Sequence, residues 1–273
     1  RVIVAVLIGA GLSVAGASFQ SLFSNPLATP DTLGVAAGTC VGAVAALLLD
    51  GNLLGVQAMA LAAGLVTVLF TTSIARARTG GFNVITLVLG GVIVSALANA
   101  VLSLLKLTAD PTSQLPEITY WLMGSIAKVT WSDLRVFAIP FVLGVVPLLA
   151  LRWRFNILAF GDEEAESLGV NAAALRLVSI VCATLLTASC VAISGVIGWV
   201  GLIMPHVVRF IAGPDNRIVV PLSVILGGAF LIAVDTACRS LMPSEIPLGI
   251  LTSIIGAPLF FLILLRTQQG GRQ

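Results

Sequence analysis

Nine apolar stretches, each about 20 residues long, follow one another along this chain at residues 2–23, 31–49, 53–75, 83–106, 135–151, 175–194, 195–212, 218–238 and 247–266. About 20 apolar residues are what a helix needs to cross the hydrocarbon of a bilayer. Within that hydrocarbon a helix satisfies its own backbone groups and an open strand does not. The repetition therefore predicts an all-α, polytopic transmembrane bundle of about nine spans. It forms a single domain over residues 1–273, with one polar loop at 155–174. A soluble fold is excluded by the lack of polar surface. Only 10% of the residues are charged and 58% are hydrophobic, where soluble domains carry about 25% charged residues. The weakest boundary lies at Ser194-Gly195, where one re-entrant element is the alternative to two spans.

The few charges orient the bundle. If the first span enters from outside, one side holds Arg76, Arg78, Arg152, Arg154, Arg176, Arg209, Arg217, Arg266 and Arg272, and the other holds Arg1, Lys106, Lys128, Arg135 and Arg239. The excess of Lys and Arg on the first side makes it cytoplasmic. The C-terminus is then cytoplasmic, and Arg1 lies outside. A chain made in the cytoplasm reaches that point most simply through one further helix upstream; a cleaved signal peptide is the alternative. A net charge of +2 without a basic run excludes nucleic acid as a partner. Cys40, Cys182, Cys190 and Cys238 stand singly in or near apolar segments, with no Cys-x-x-Cys pair, and read as packing residues.

The first two spans are separated by Ser-Asn-Pro-Leu-Ala-Thr-Pro-Asp-Thr-Leu-Gly, residues 24–34. Pro26 and Pro30 block helical continuation, and each turns its preceding residue away from the helical region. Asp31 or Thr29 is the expected cap of the next helix. Gly34, Gly38 and Gly42 then recur every fourth residue, a stripe of small residues on which another helix packs closely.

What the spans lack is as informative. Ion-coupled transporters keep ionisable residues inside their spans, and here Asp235 is the clear exception, with Arg239 one helical turn on as its expected ion-pair partner. No Gly-x-x-x-x-Gly-Lys-Ser/Thr nucleotide loop is present, and the two lysines, Lys106 and Lys128, lie outside any such pattern. The one histidine, His206, follows Pro205 without a cysteine or carboxylate at ligand spacing, and reads as structural or capping. Energy for pumping must then come from a partner. The docking surface is the segment Phe-Gly-Asp-Glu-Glu-Ala-Glu-Ser-Leu-Gly-Val-Asn, residues 160–171, which reads as a short amphipathic helix. Acids in its first turn suit a helix N-terminus and Gly169 suits its stop.

The chain resembles the permease subunits of ABC importers for iron-siderophores, haem and vitamin B12, the FecCD/BtuC family. The resemblance runs through "GASFQSLFSNPLATPDTLGVAAG" at 16–38, "YWLMGSIAKVTW" at 120–131 and "LAFGDEEAESLGVN" at 158–171. It continues through "ISGVIGWVGLIMPHVVRFIAGPDNR" at 193–217 and "SEIPLGILTSIIGAPLFFLILL" at 244–265. It implies a BtuC-like, type II ABC importer fold of ten helices, of which the first precedes Arg1. It implies a homodimer in the inner membrane, two cytoplasmic ABC ATPase subunits that bind ATP and Mg, and an extracytoplasmic substrate-binding protein. No cofactor is implied on this chain. By the same resemblance Asn25 and Leu27 belong to a cytoplasmic gate, and the turn at 79–84, with Asn83 and Val84, to a second gate element. Gly161, Asp162, Glu163, Glu164, Ala165, Glu166, Ser167, Leu168 and Gly169 match the coupling helices that enter the ATPase, and Arg1 and Arg239 match positions that dock the binding protein.

The implied function is an ATP-driven import permease without a nucleotide site of its own. Its substrate is a metal chelate, with ferric siderophore the commonest assignment and haem, cobalamin and molybdate the alternatives. An ion-coupled secondary transporter is the contrasting reading, and a membrane-embedded enzyme a more distant one.

Overall fold

The computed structural model describes residues 1–79 and 84–270, with side chains except those of residues 53, 75–79, 84, 264 and 266–270. Regular structure among the described residues is entirely helical. In chain order the helices are α1 (Val2–Leu22), α2 (Val35–Leu48), α3 (Leu53–Thr79), α4 (Val84–Thr108), α5 (Gln114–Leu122), α6 (Trp131–Leu151), α7 (Arg154–Leu158), α8 (Asp162–Ser167), α9 (Ala172–Ser194), α10 (Val200–Ala212), α11 (Asn216–Ser240) and α12 (Leu248–Gly270). Each of the nine apolar stretches contains one helix, and α5, α7 and α8 lie in the connections. Helices α1, α3, α4, α6, α9 and α11 are long and apolar enough to cross a bilayer.

Helix α1 is the centre of the bundle, packed against α6, α9, α10 and α11. Small residues make this possible, because the driving force between helices in lipid is close packing rather than exclusion of water. A Cβ at Gly9 would lie 2.2 Å from the Gly227 carbonyl oxygen of α11, and one at Gly16 only 1.8 Å from that of Gly201 in α10. The stripe on α2 does the same toward α3. A Cβ at Gly38 would stand 2.0 Å from Thr67 Oγ1, and one at Gly42 would stand 2.2 Å from the Met59 carbonyl.

Two apolar stretches are not single helices. Helix α2 has 14 residues and α10 has 13, about 20 Å each at 1.5 Å per residue, against a hydrocarbon core of about 30 Å. The first is completed by a 3₁₀ turn at Pro30–Leu33. Thr29 starts that turn without a side-chain cap, and α2 opens instead on Gly34, whose φ of 83° is left-handed. The side-chain cap expected of Thr29 is not made, and Asp31, the other expected cap, lies inside the 3₁₀ turn while Gly34 takes the N-cap position of α2.

At the doubtful boundary, α9 runs its full 23 residues to Ser194, and the chain returns through the non-helical segment 195–199 before α10 begins. Gly201 meets α1 between Leu12 and Gly16, so α10 starts halfway along the central helix. Gly195 turns the chain with φ 69°, and a Cβ there would lie 2.0 Å from the Trp121 carbonyl. The seventh apolar stretch is thus a short non-helical segment followed by a helix of 13 residues. Irregular backbone of this kind is tolerated at membrane depth only inside protein or along a cavity.

The connections define two ends. At the first, Arg1 approaches Asp235 and Glu245, Ser125 N donates to Ser194 O at 2.8 Å, and Leu248 N donates to Gly124 O at 2.8 Å. At the second, the turn after α1 meets α7, the start of α11 and the end of α10.

Candidate functional site

At the second end α1 stops at Leu22, and the next residues form a tight turn. Ser24 adopts φ 47°, Asn25 N donates to Gln20 O at 3.1 Å, and Ala28 N donates to Asn25 O at 3.1 Å. The Asn25 side chain accepts from Leu27 N at 2.9 Å, an Asx turn in which the side chain stands in for backbone. Asn25 is therefore spent on shaping the turn, and Leu27 is what the turn presents, half exposed. Between this turn and the broken start of α10 lies a cavity of about 200 Å³, lined by Leu12, Leu27, Asp31, Thr187, Trp199 and Leu202. Trp199 holds φ 71° there, an unusual conformation for a bulky residue. Of the other gate positions, Asn83 lies outside the described residues, and Val84 opens α4.

The acidic segment forms α8 at Asp162–Ser167, with Asp162, Glu163 and Glu164 in its first turn and Leu168 as its C-cap. Gly161 and Gly169 flank it with φ of 108° and 78°. Ala165 is fully buried, while Leu168 is 63% exposed and Phe160 70% exposed. Glu163, Glu164, Glu166, Ser167 and Gly169 are exposed. One face of this single turn seats on the bundle and the other projects, tied down by an ion pair from Asp162 to Arg176 of α9. Helix α7 joins the same end, because Asn156 Nδ2 donates to Asp215 Oδ1 at 2.6 Å. The Arg217 N–H, and after it that bond, hold the Asp215 carboxyl below the usual carboxylate range.

At the first end Arg1 and Arg239 converge on one carboxylate. Asp235 is 1% exposed. It accepts from Arg1 Nη2 at 2.8 Å and pairs with Arg239 Nε at 3.2 Å. The i,i+4 pair expected from the sequence is present. The third member, Arg1, was not legible, because 234 residues separate it from Asp235. Arg1 also bonds Glu245, and this guanidinium lowers the Glu245 carboxyl.

His206 sits within α10 and packs its ring edge-on to Phe260 at 5.7 Å, so it caps no helix end. Among the described residues no three His, Cys, Asp or Glu side chains converge as metal ligands. Sequence reasoning also missed a polar cluster behind the Asn25 turn, made by Gln20, Ser21, Asn156, Arg209 and Asn216. Its only trace in the sequence is that each member is a polar residue at the edge of an apolar run.

A central small-residue helix, broken short helices and a seated acidic turn at one end define a multi-pass membrane permease. The model of the FecCD transport family matches residues 1–266, and the chain belongs to that family. It is 38% identical over 271 residues to the molybdate import system permease protein MolB of Haemophilus influenzae, covering 99% of this chain and 80% of that protein. It is 40% identical over 270 residues to the cobalamin import system permease protein BtuC of Halobacterium salinarum, covering 98% and 72%. A solved structure of a metal-chelate type ABC transporter in an inward-facing conformation superposes with a TM-score of 0.92 at 38% identity, over 97% of this chain and 85% of that one. The chain is accordingly an ABC importer permease.

Proposed function

We propose that this permease imports a metal chelate, with ferric siderophore as the first candidate, across the inner membrane as a homodimer driven by two ATPase subunits. A substrate-binding protein feeds it from outside. The end bearing α8 and the Asn25 turn is cytoplasmic, as the Lys and Arg excess requires, and the Arg1 end faces the binding protein. ATP and Mg are held by the ATPase, since the chain has no nucleotide loop. The observation that carries this reading is α8. It is an acidic turn with its buried face fixed by Ala165 and Arg176 and its outer face free, a handle held firmly enough to transmit force. Leu27 and Asn25 then form part of the exit gate at the same end of the bundle, next to α7, on which α8 packs.

The test is charge reversal. Replacing both Glu163 and Glu164 with Lys is expected to abolish stimulation of the ATPase by the permease and to stop uptake, with the melting temperature in detergent unchanged. Normal stimulation in the doubly substituted protein would sink the assignment of α8. Relatives are named for molybdate and for cobalamin at similar identity to this chain, which supports reading the cargo on the binding protein. The chelate that stabilises the purified binding protein against heat identifies it, and a binding protein that responds to molybdate and to no ferric chelate would reject the siderophore.

A further inference from the structure

Behind the Asn25 turn, side chains from four elements join in one continuous chain of hydrogen bonds. The backbone N–H of Asn216 donates to Asn156 Oδ1 at 2.9 Å, and this fixed donor sets the orientation of the Asn156 amide. Asn216 Nδ2 donates to the same oxygen at 2.9 Å, which turns Asn216 Oδ1 toward α1. There it meets Ser21 Oγ at 2.6 Å. Ser21 Oγ in turn accepts from Arg209 Nη2 of α10 at 3.0 Å. Arg209 also donates to Gln20 Oε1, and Gln20 Nε2 donates to Leu202 O at 3.0 Å. The Gln20 carbonyl holds Asn25 N, the first bond of the turn. The chain thus runs from α7, through the start of α11, to α1, α10 and Asn25.

Ser21 gives this chain two states. Its hydroxyl has one proton and two acceptors in reach, Asn216 Oδ1 at 2.6 Å and, one turn back in its own helix, Ala17 O at 2.9 Å. Donation to Asn216 ties α1 to α11 and α7. Donation to Ala17 is the i−4 back-bond that serines make inside apolar helices, and it releases the tie. Arg209 donates both to Ser21 Oγ at 3.0 Å and, at 3.4 Å, to Ala17 O, the competing acceptor. Among the described residues its hydrogen-bond acceptors are all neutral, Gln20, Ser21 and Ala17, and the described ion pairs involve only Arg1, Arg176 and Arg239. A full charge donating to Ser21 Oγ polarises that hydroxyl and strengthens its onward bond.

We propose that Asn156, Asn216, Ser21 and Arg209 are positioning residues that carry displacement of α7 and α8 to the gate turn, with the Ser21 proton as the two-state element. The proposal rests on the reading of α8 as the ATPase handle. Coupling of this kind needs an element whose equilibrium both sites bias, and Ser21 stands between them: Asn216 and Asn156 link it to α7, and Arg209 and Gln20 link it to the Asn25 turn.

The test uses the intact transporter purified from its native membrane and returned to vesicles. Leu27→Cys, in a Cys182→Ser background, is labelled with a maleimide with and without ATP. In the parent, ATP is expected to change the labelling rate. Ser21→Ala is expected to shrink that change by about tenfold while the ATPase stays bound and the melting temperature holds. Asn156→Ala removes the oxygen that accepts from both Asn216 donors and the amide that donates to Asp215, which breaks the chain at its α7 end, and is expected to do the same. The double variant should lose no more than the worse single one, since one chain is broken once. Losses that multiply would mean independent local struts and overturn the proposal, as would an unchanged ATP effect in Ser21→Ala. A parent whose labelling ignores ATP although the ATPase is bound overturns it too. A parent that binds no ATPase fails at the earlier step and takes down the reading of α8 with it.

Discussion

At Gly38 the absence of a side chain decides a helix contact. Thr67 Oγ1 lies 2.0 Å from where a Cβ would stand, and Thr67 cannot retreat freely because its hydroxyl donates to Ala63 O at 2.7 Å. Overpacking of this kind costs about 1–3 kcal/mol, sometimes more, so Gly38→Leu is expected to lower the melting temperature in detergent. An unchanged melting curve would mean that α2 and α3 do not meet there. Glu245 offers a second test at this scale. Bonding to Arg1 lowers its carboxyl pKa in the folded protein, so the stabilisation is fully present above the ordinary Glu range of about 4.3. It is lost as pH falls through the lowered value. The neighbouring charges are Arg1, Asp235 and Arg239, and none of the others on this end reverses that sign. Glu245→Gln is therefore expected to melt slightly earlier than the parent at pH 7, by an amount within the roughly 0–1 kcal/mol of exposed pairs. The two curves should converge as the pH drops below 4. A gap that widens on acidification would reject the assignment.

Elements follow from local grammar where that grammar is strong. Thr130 and Asp133 form a reciprocal capping box that starts α6, and Asn171 caps α9 by accepting from Ala174 N at 2.8 Å. Both signals lie within four residues, so they are legible in sequence. The start of α8 after Gly161 and its end at Leu168-Gly169 are legible for the same reason. The break before α10 is not. Ser194-Gly195 marks a boundary, but nothing local tells whether the following segment is helix or extended chain. Gly195 owes its turn to the Trp121 carbonyl that crowds it, and that residue belongs to a different element. The expected consequence is that Gly195→Ala, which meets both a left-handed φ and this carbonyl, destabilises more than Gly198→Ala, where a Cβ meets nothing within 4 Å. Thermal melts of the two variants rank them directly, and equal melting would contradict the crowded turn.

For the molecule as a whole, the proposed docking of a binding protein falls on the Arg1 end. Arg239 is 45% exposed at its side chain yet already pairs with buried Asp235, and Arg1 shares that acid. Exposed charges are screened over about 8 Å at physiological ionic strength, so a docking role for Arg239 has a salt signature. Arg239→Glu is expected to slow association with the binding protein and to flatten the salt dependence of that rate. If Asp235→Lys added to Arg239→Glu restored uptake while association rates never changed, Arg239 would be only a partner of Asp235. What the sequence determined by itself was the solvent, the helical class, the nine apolar stretches and the acidic turn, because hydrophobic runs, prolines and caps act over a few residues. The tertiary structure decided which helix is central, where α10 begins, that Arg1 completes the Asp235 cluster, and that Asn156, Asn216, Ser21 and Arg209 form one chain. Those contacts join residues up to 234 positions apart, and in a chain so uniformly apolar no local pattern marks which of the scattered polar residues will meet.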